Sequence, residues 1–301
     1  GVFEVGMSRA GEIKNLSRLI KPHIGIITNI GEAHIENFRS VREIAKAKSE
    51  IIENIVEGGT IILNRDDKFF NYLSKKAKSF KLKILTFGYH KKSDVRIKKI
   101  IRKGNFSKIF IKINNKVIDL EIRDLNIYNV LSSIAVLQVL KIDIKKIKTK
   151  LKNFESPEGR GKKYSIIRYD KKFNLIDESY NANPLSVKNA INKLNLIKKE
   201  KFKKYLILGD MLELGSKSNK YHEQLSKVIN NSDIDKVFIK GKKTIFTYKQ
   251  LNKNKRGNIL QDNEDIDISL REMISNNDHL MIKGSNATGL NDFSKKMIKG
   301  I

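Results

Sequence analysis

The sequence has no cysteine. Disulfides and thiolate metal sites are therefore excluded, and the chain suits a reducing compartment. Tryptophan is also absent, and proline occurs only three times. The longest apolar runs, such as "SSIAVLQVL", fall far short of the roughly 20 residues that a membrane-spanning helix needs, so no membrane insertion is expected. Acid is scarce relative to base: 33 Asp+Glu stand against 61 Lys+Arg, a formal net charge of +28.

Such a charge can mark a polyanion binder. Here the lysine clusters, such as "NLIKKEKFKKYL", are scattered along the chain. They are not interleaved with stacking aromatics, as they are in single-strand binders. Lys, Ile and Asn, the residues with the most A/T-rich codons, dominate together. The charge is read as compositional bias that still attracts anionic nucleotides, and no specific nucleic-acid partner is expected.

What is present is a strand–loop–helix alternation. "VFEV" leads to "AGEIKNLSRLI", "IGIIT" to a helix "VREIAKAKSEIIENIV", and "GTIIL" to "DDKFFNYLSKKAKS". Short apolar runs alternating with amphipathic helices predict a parallel sheet covered by helices. Residues 94–122 have period-2 character with polar turns "RKGN" and "INNK", which predicts an antiparallel meander. A long apolar helix, "NIYNVLSSIAVLQVLKI", follows. Pro157 and two glycines then mark a linker, after which "FNLID", "YLILGD", "KVFIKG" and "HLMIKGS" alternate with helices. The expected fold is α/β in two consecutive domains, residues 1–158 and 159–301. The first carries a mostly parallel sheet plus the meander, and the second is Rossmann-like.

Ligands of open α/β sheets sit beyond the carboxyl ends of the strands. The polar residues expected there are Glu4, Thr28 with the loop to His34, Asn64, Asp66, Asp177, Glu178, Asp210 and Lys283. Lys48 is four residues from both Ile44 and Ile52, on the apolar face of its helix, whereas Lys46 lies on the polar face. Burial favours a neutral lysine, and a neutral amine can take up carbon dioxide to become a carbamate, an anionic oxygen ligand. The alternative is a lysine that packs its stem and exposes its head. Glu4, His34 and a carbamylated Lys48 would make a mixed oxygen/nitrogen site suited to Mg²⁺ with phosphates. "LIDESYNANP" ends a strand in an acid pair and opens a helix at Pro184. Its Asn181 and Asn183 can bind ligand groups or simply build a turn.

Together these strings resemble the Mur ligases of peptidoglycan synthesis. The matching stretches are "FEVGMSRAGEI", "PHIGIITNIGEAHIENF", "IAKAKSEI", "LNRDD", "NIYNVLSSIAV", "EGRG", "IDESYNANPLS", "LGDMLELG" with His222, and "KGSNATGL". They run in family order from residue 3 to about 290. "SYNANP" and "GDMLELG" resemble the branch that joins D-alanyl-D-alanine to UDP-N-acetylmuramoyl-tripeptide. The resemblance implies a cytoplasmic, monomeric, ATP- and Mg²⁺-dependent ligase acting through an acyl phosphate.

By the same resemblance Glu4, His34 and Lys48 are metal-site residues, with Lys48 carbamylated. Asn126, Asn129 and Arg160 face the nucleotide, with Asp177 and Glu178 at its ribose. Asn181, Asn183, Asp210 and Lys283 lie toward the substrate. Two positions depart from the family pattern: Leu125 stands where a His is usual, and Glu178 where an Asp is usual. The family's P-loop, Gly-x-x-x-x-Gly-Lys-Ser/Thr, occurs nowhere in the 301 residues. The expectation is a member without its N-terminal domain and P-loop, inactive alone. Another Mur or folylpolyglutamate-type ligase and a non-catalytic ligand-binding remnant stay open as alternatives.

Overall fold

The computed structural model describes residues 1–103, 106–123, 125–198 and 200–300, with Lys103 described by its backbone alone. The chain forms two compact units. One is Gly1–Gly31 with Asn37–Glu155, and the other is Glu32–Glu36 with Ser156–Ile301.

The first unit runs α1 (Glu12–Ile20), β1 (Ile24–Ile27), α2 (Val41–Lys48), β2 (Thr60–Asn64), α3 (Phe70–Ser79), β3 (Lys83–Gly88), β4 (Val95–Lys103), β5 (Phe106–Ile113), β6 (Lys116–Arg123), α4 (Ile127–Val139) and α5 (Lys148–Asn153). Its sheet has the order β1-β2-β3-β4-β5-β6. β1 to β4 pair in parallel, and β4, β5 and β6 are antiparallel. Every residue of β2 is buried, the pattern of a strand covered on both faces. β5 and β6 bury alternate residues, as a one-faced antiparallel ribbon does. Val95, Ile97, Ile109, Ile111, Leu120 and Ile122 pack there with Val130, Leu131 and Ile134 of α4. The "INNK" turn closes on Asn114 and Asn115, both at positive φ (46° and 64°), as a type I′ hairpin requires. The "RKGN" turn includes Gly104 and Asn105, which lie outside the described residues.

Two local expectations are corrected. "VFEV" forms no strand: Val2 and Phe3 are exposed and no described strand pairs with them. A single extended segment without a ladder partner has nothing to hold it as a strand. The helix from Val41 also stops being α-helical at Lys48 and continues as a 3₁₀ turn over Ser49–Asn54. Ser49 Oγ donates to the Lys46 carbonyl at 2.6 Å, a local bond that competes with the helical ladder.

The second unit runs β7 (Lys162–Arg168), β8 (Lys171–Glu178), α6 (Pro184–Asn195), β9 (Lys204–Gly209), α7 (Ser218–Asn230), β10 (Lys236–Lys240), α8 (Thr244–Lys249), β11 (Arg256–Leu260), α9 (Asn263–Met273), β12 (His279–Lys283) and α10 (Leu290–Lys299). Its sheet order is β11-β10-β9-β12-β8-β7. All pairs are parallel except β7–β8. The fold is therefore α/β with two mixed six-stranded sheets. β7 was not among the expected strands. It is tied to β8 by a two-residue turn, Tyr169 and Asp170, both at positive φ (58° and 56°), the backbone of a I′ hairpin. β9 is fully buried, and Leu175, Tyr205, Ile207, Phe238, Leu280 and Ile282 form the core beside it.

Candidate functional site

In the first unit, Lys48 sits half-buried at the end of α2, while Lys46 is exposed. Lys48 Nζ donates to the Asn29 carbonyl at 3.1 Å. Burial lowers its pKa, and the nearby Asp67 carboxylate acts against that shift. The amine is thus pushed toward its neutral form without losing its acidic neighbour. Asp67 is itself fixed by the backbone N–H groups of Ile30 (2.7 Å) and Phe69 (2.8 Å). Sequence reading missed Asp67; its only signal was the acid pair just beyond β2.

Glu4 is exposed and outside any regular element. His34 belongs with the second unit and takes a left-handed backbone, φ 58°. Its Nδ1 is 2.5 Å from Glu213 Oε2, but the approach does not form a hydrogen bond. Among the described residues, no three His, Asp or Glu side chains are placed to hold a metal ion. Glu4 and Lys48 belong to the first unit and His34 to the second. The fit to Mg²⁺ is thus limited to the character of the Lys48 amine.

Asn126 and Asn129 stand at the start of α4. Asn126 is its N-cap, and its side-chain oxygen accepts from the N–H groups of Tyr128 (2.9 Å) and Asn129 (3.4 Å). Such a cap contributes about 1 kcal/mol. The Asn129 side chain is exposed. Beside them Tyr128 donates its hydroxyl to Asp66 (3.2 Å) and meets Tyr89 edge-on, ring centroids 5.7 Å apart.

In the second unit, the linker and the end of β8 form one polar cluster. Asp177 is 1% exposed. Its carboxylate accepts from the Gly159 N–H (2.9 Å), the Ser179 N–H (3.2 Å) and the Ser179 hydroxyl (2.5 Å). Those bonds use it to pin the linker. Glu178 lies between two ammonium groups, Lys193 at 3.9 Å and Lys283 at 3.8 Å. The Arg160 guanidinium rests over the Tyr180 ring, 4.4 Å from its centroid, and both side chains are exposed. Lys283 is 2% exposed. Its Nζ donates to the carbonyls of Asn181 (2.6 Å) and Glu178 (3.3 Å).

The two asparagines of "SYNANP" shape the chain. Asn181 accepts from the Ala182 N–H at 2.7 Å. Asn183 closes a reciprocal capping box with Ser186 at the start of α6. Asp210, 9% exposed, accepts from the N–H groups of Lys242, Lys243 and Thr244 at 2.8–3.1 Å. It thereby anchors the turn into α8. His222 is fully buried. Its Nε2 accepts from the Met211 N–H (2.9 Å), and its Nδ1 stands 2.8 Å from the Ser218 carbonyl. That pattern is met by a neutral ring protonated at Nδ1.

The pattern of the Mur ligase middle domain matches residues 1–137, and that of the Mur ligase glutamate ligase domain matches residues 164–286. The chain belongs to the Mur ligase family. Among curated relatives, the UDP-N-acetylmuramoyl-tripeptide–D-alanyl-D-alanine ligase of Rickettsia prowazekii is 30% identical over 293 residues, 96% of this chain and 64% of that protein. The enzyme of the same name from Bacillus subtilis is 31% identical over 303 residues, 99% of this chain and 64% of that protein. This Mur ligase chain thus spans about 64% of the length of those two relatives. The fold is similar to the MurF ligase of Thermotoga maritima in complex with ADP. The TM-score is 0.85 at 22% identity, covering 98% of this chain and 66% of that one.

Proposed function

We propose that this Mur ligase chain carries the middle and C-terminal domains of the ligase that joins D-alanyl-D-alanine to UDP-N-acetylmuramoyl-tripeptide with ATP. The observation that carries the reading is the likeness to ligases of that name over 96–99% of the chain. In the proposed reaction, ATP phosphorylates the terminal carboxylate of the tripeptide. The amine of D-alanyl-D-alanine attacks the acyl phosphate, the amide forms and phosphate leaves. The protein's work is positioning and charge neutralisation.

The exposed Arg160 guanidinium is the natural partner for a nucleotide phosphate. Asn126 and Asn129 are likewise assigned to nucleotide binding. Asp177 and Glu178 support the loop under it through the Gly159 bond and the Lys193 and Lys283 ion pairs. Asn181, Asn183 and Asp210 are assigned to the substrate side, where they act by shaping their loops. Glu4, His34 and a carbamylated Lys48 are the residues assigned to Mg²⁺. An ion bound there would supply charge neutralisation at the phosphates. We further assign the protein to the cytoplasm, as a monomer. No helix among the described residues is long and apolar enough to cross a membrane.

These 301 residues contain no P-loop motif, whose backbone N–H groups and lysine cradle the phosphates in P-loop enzymes. The chain by itself is therefore proposed to be inactive. The test is phosphate release with ATP, Mg²⁺, UDP-N-acetylmuramoyl-tripeptide and D-alanyl-D-alanine. Turnover within the usual range of about 1–10³ s⁻¹ would overturn the inactivity. A polypeptide restoring the motif that accepted L-glutamate in place of D-alanyl-D-alanine would overturn the substrate assignment.

A further inference from the structure

Lys283 ends β12, directly across from Glu178, its partner in the parallel ladder. Its side chain is buried, the residue being 2% exposed. Two carbonyls and one carboxylate surround it: Asn181 O at 2.6 Å, Glu178 O at 3.3 Å and Glu178 Oε2 at 3.8 Å. An ammonium has three donors and no acceptor, so this shell of acceptors uses its hydrogens. Between the two carbonyls lie Ser179 and Tyr180. The Tyr180 N–H donates to Gly159 O at 3.1 Å. The linker crosses the turn so closely that a Cβ on Gly159 would meet Tyr180 Cβ at 2.8 Å, and one on Gly161 would meet Glu178 Oε1 at 2.7 Å. Both glycines have positive φ, 70° and 92°.

We propose that Lys283 is a positioning residue: by tying the Glu178 and Asn181 carbonyls together it sets Tyr180, and through the Tyr180 ring it presents the Arg160 guanidinium to an anionic group. This rests on the reading of Arg160 as the nucleotide residue. It replaces the direct substrate contact that the sequence suggested for Lys283. The ammonium matters because a neutral apolar side chain would take its donor away from two part-buried carbonyls. Burial drives the Lys283 pKa down, and Glu178 opposes that shift.

The test uses the 301-residue chain and two readouts. The first is the Arg160 Nε–H resonance, which carries the ring current of Tyr180; Tyr180→Leu gives its value with the ring gone. Lys283→Met is expected to move the resonance toward that value while amides of β10 keep theirs. Glu178→Gln, which leaves the carbonyl tie in place, is expected to move it little. An unmoved resonance in folded Lys283→Met overturns the proposal, as does an equal shift in Glu178→Gln. Should Lys283→Met not fold, Lys283→Gln, with a shorter donor, is judged by the same shift.

The second readout is affinity for ADP against adenosine. Arg160→Ala and Lys283→Met are each expected to weaken ADP by about tenfold and adenosine hardly at all. The double variant should bind ADP as Arg160→Ala does. Additive losses mean that Lys283 does not act through Arg160, and the proposal falls. If the unsubstituted chain binds no ADP, the nucleotide reading fails, and the resonance alone decides the role of Lys283.

Discussion

Lys204 and Asp233 form a two-oxygen ion pair, 2.7 and 2.8 Å, with the lysine side chain wholly buried at the start of β9. The same ammonium donates to the carbonyls of Asn195 and Ile197, so it joins the end of α6 to the sheet. Asp233 is 37% exposed and can turn to water; the lysine cannot. Asp233→Ala is therefore expected to destabilise the chain by about 3 kcal/mol, and by more than Lys204→Met. Urea denaturation of both variants checks the order. A reversed ranking would show that stranding a buried ammonium costs less than losing its bonds to α6.

Gly241 has φ +126°, and a Cβ there would run into the Asp210 carboxylate. Gly241→Ala should destabilise by about 2 kcal/mol or more, through backbone strain and loss of the Asp210 anchor. Thermal unfolding measures it. An unchanged midpoint would mean that the turn into α8 tolerates rearrangement.

Two histidines make stability depend on pH. Burial lowers the pKa of His222 below 6.5 and that of His279 to about 4, with Lys163 and Lys204 adding to the second shift. Below pH 6.5 the unfolded chain binds protons that the folded chain refuses, so stability rises with pH in that window. It is expected to fall as pH drops from 6.5 toward about 4. His279→Phe should flatten part of that slope. Urea midpoints across the range supply the data, and a slope equal in both proteins removes His279 from the account.

The Lys48 amine should react with carbon dioxide near neutral pH, because only a neutral amine forms a carbamate and burial lowers the pKa of this one. With ¹³C-labelled bicarbonate, a carbamate resonance is expected in the chain and in Lys46→Met, and absent from Lys48→Met. A signal lost with Lys46 instead would put the reactive amine on the exposed face.

We expect residues 156–301 to unfold cooperatively when made alone, since their sheet is complete within that span. Glu32–Glu36 groups with this unit, and the Glu36 N–H donates to Glu213 O at 3.1 Å. The isolated piece should therefore be somewhat less stable than in the full chain. Differential scanning calorimetry distinguishes a single sharp transition from the broad melt that would refute the expectation.

The buried strands were readable because β2, β9 and β12 carry uninterrupted apolar runs, and the meander because its residues alternate. Helix starts were readable where the cap is a side chain, as at Asn126, Asn183 with Pro184, and Ser40. β7 was missed because "KKYSIIR" mixes charge with apolar residues at an edge. The acids were the hardest part. Asp177 and Asp210 stand at strand ends, where ligand groups are sought, yet their oxygens are taken by backbone N–H groups of loops that fold back from 18 residues before Asp177 and 32–34 residues after Asp210. Sequence spacing carries no trace of such pairings. The Arg160–Tyr180 stack and the Lys283 shell were hidden for the same reason.

The placement of β12 between β8 and β9 sets an order of events for the growing chain. β8 and β9 are consecutive in sequence but not neighbours, and the slot between them stays open until His279–Lys283 has been synthesised. Until then the edges of both strands are unpaired, which is the situation that invites wrong pairings. A ribosome stalled before β12 would hold a C-terminal half that is almost entirely translated and still unable to close. Such long-range pairing slows folding, and a chain truncated ahead of His279 should be left with β8 and β9 facing an open slot.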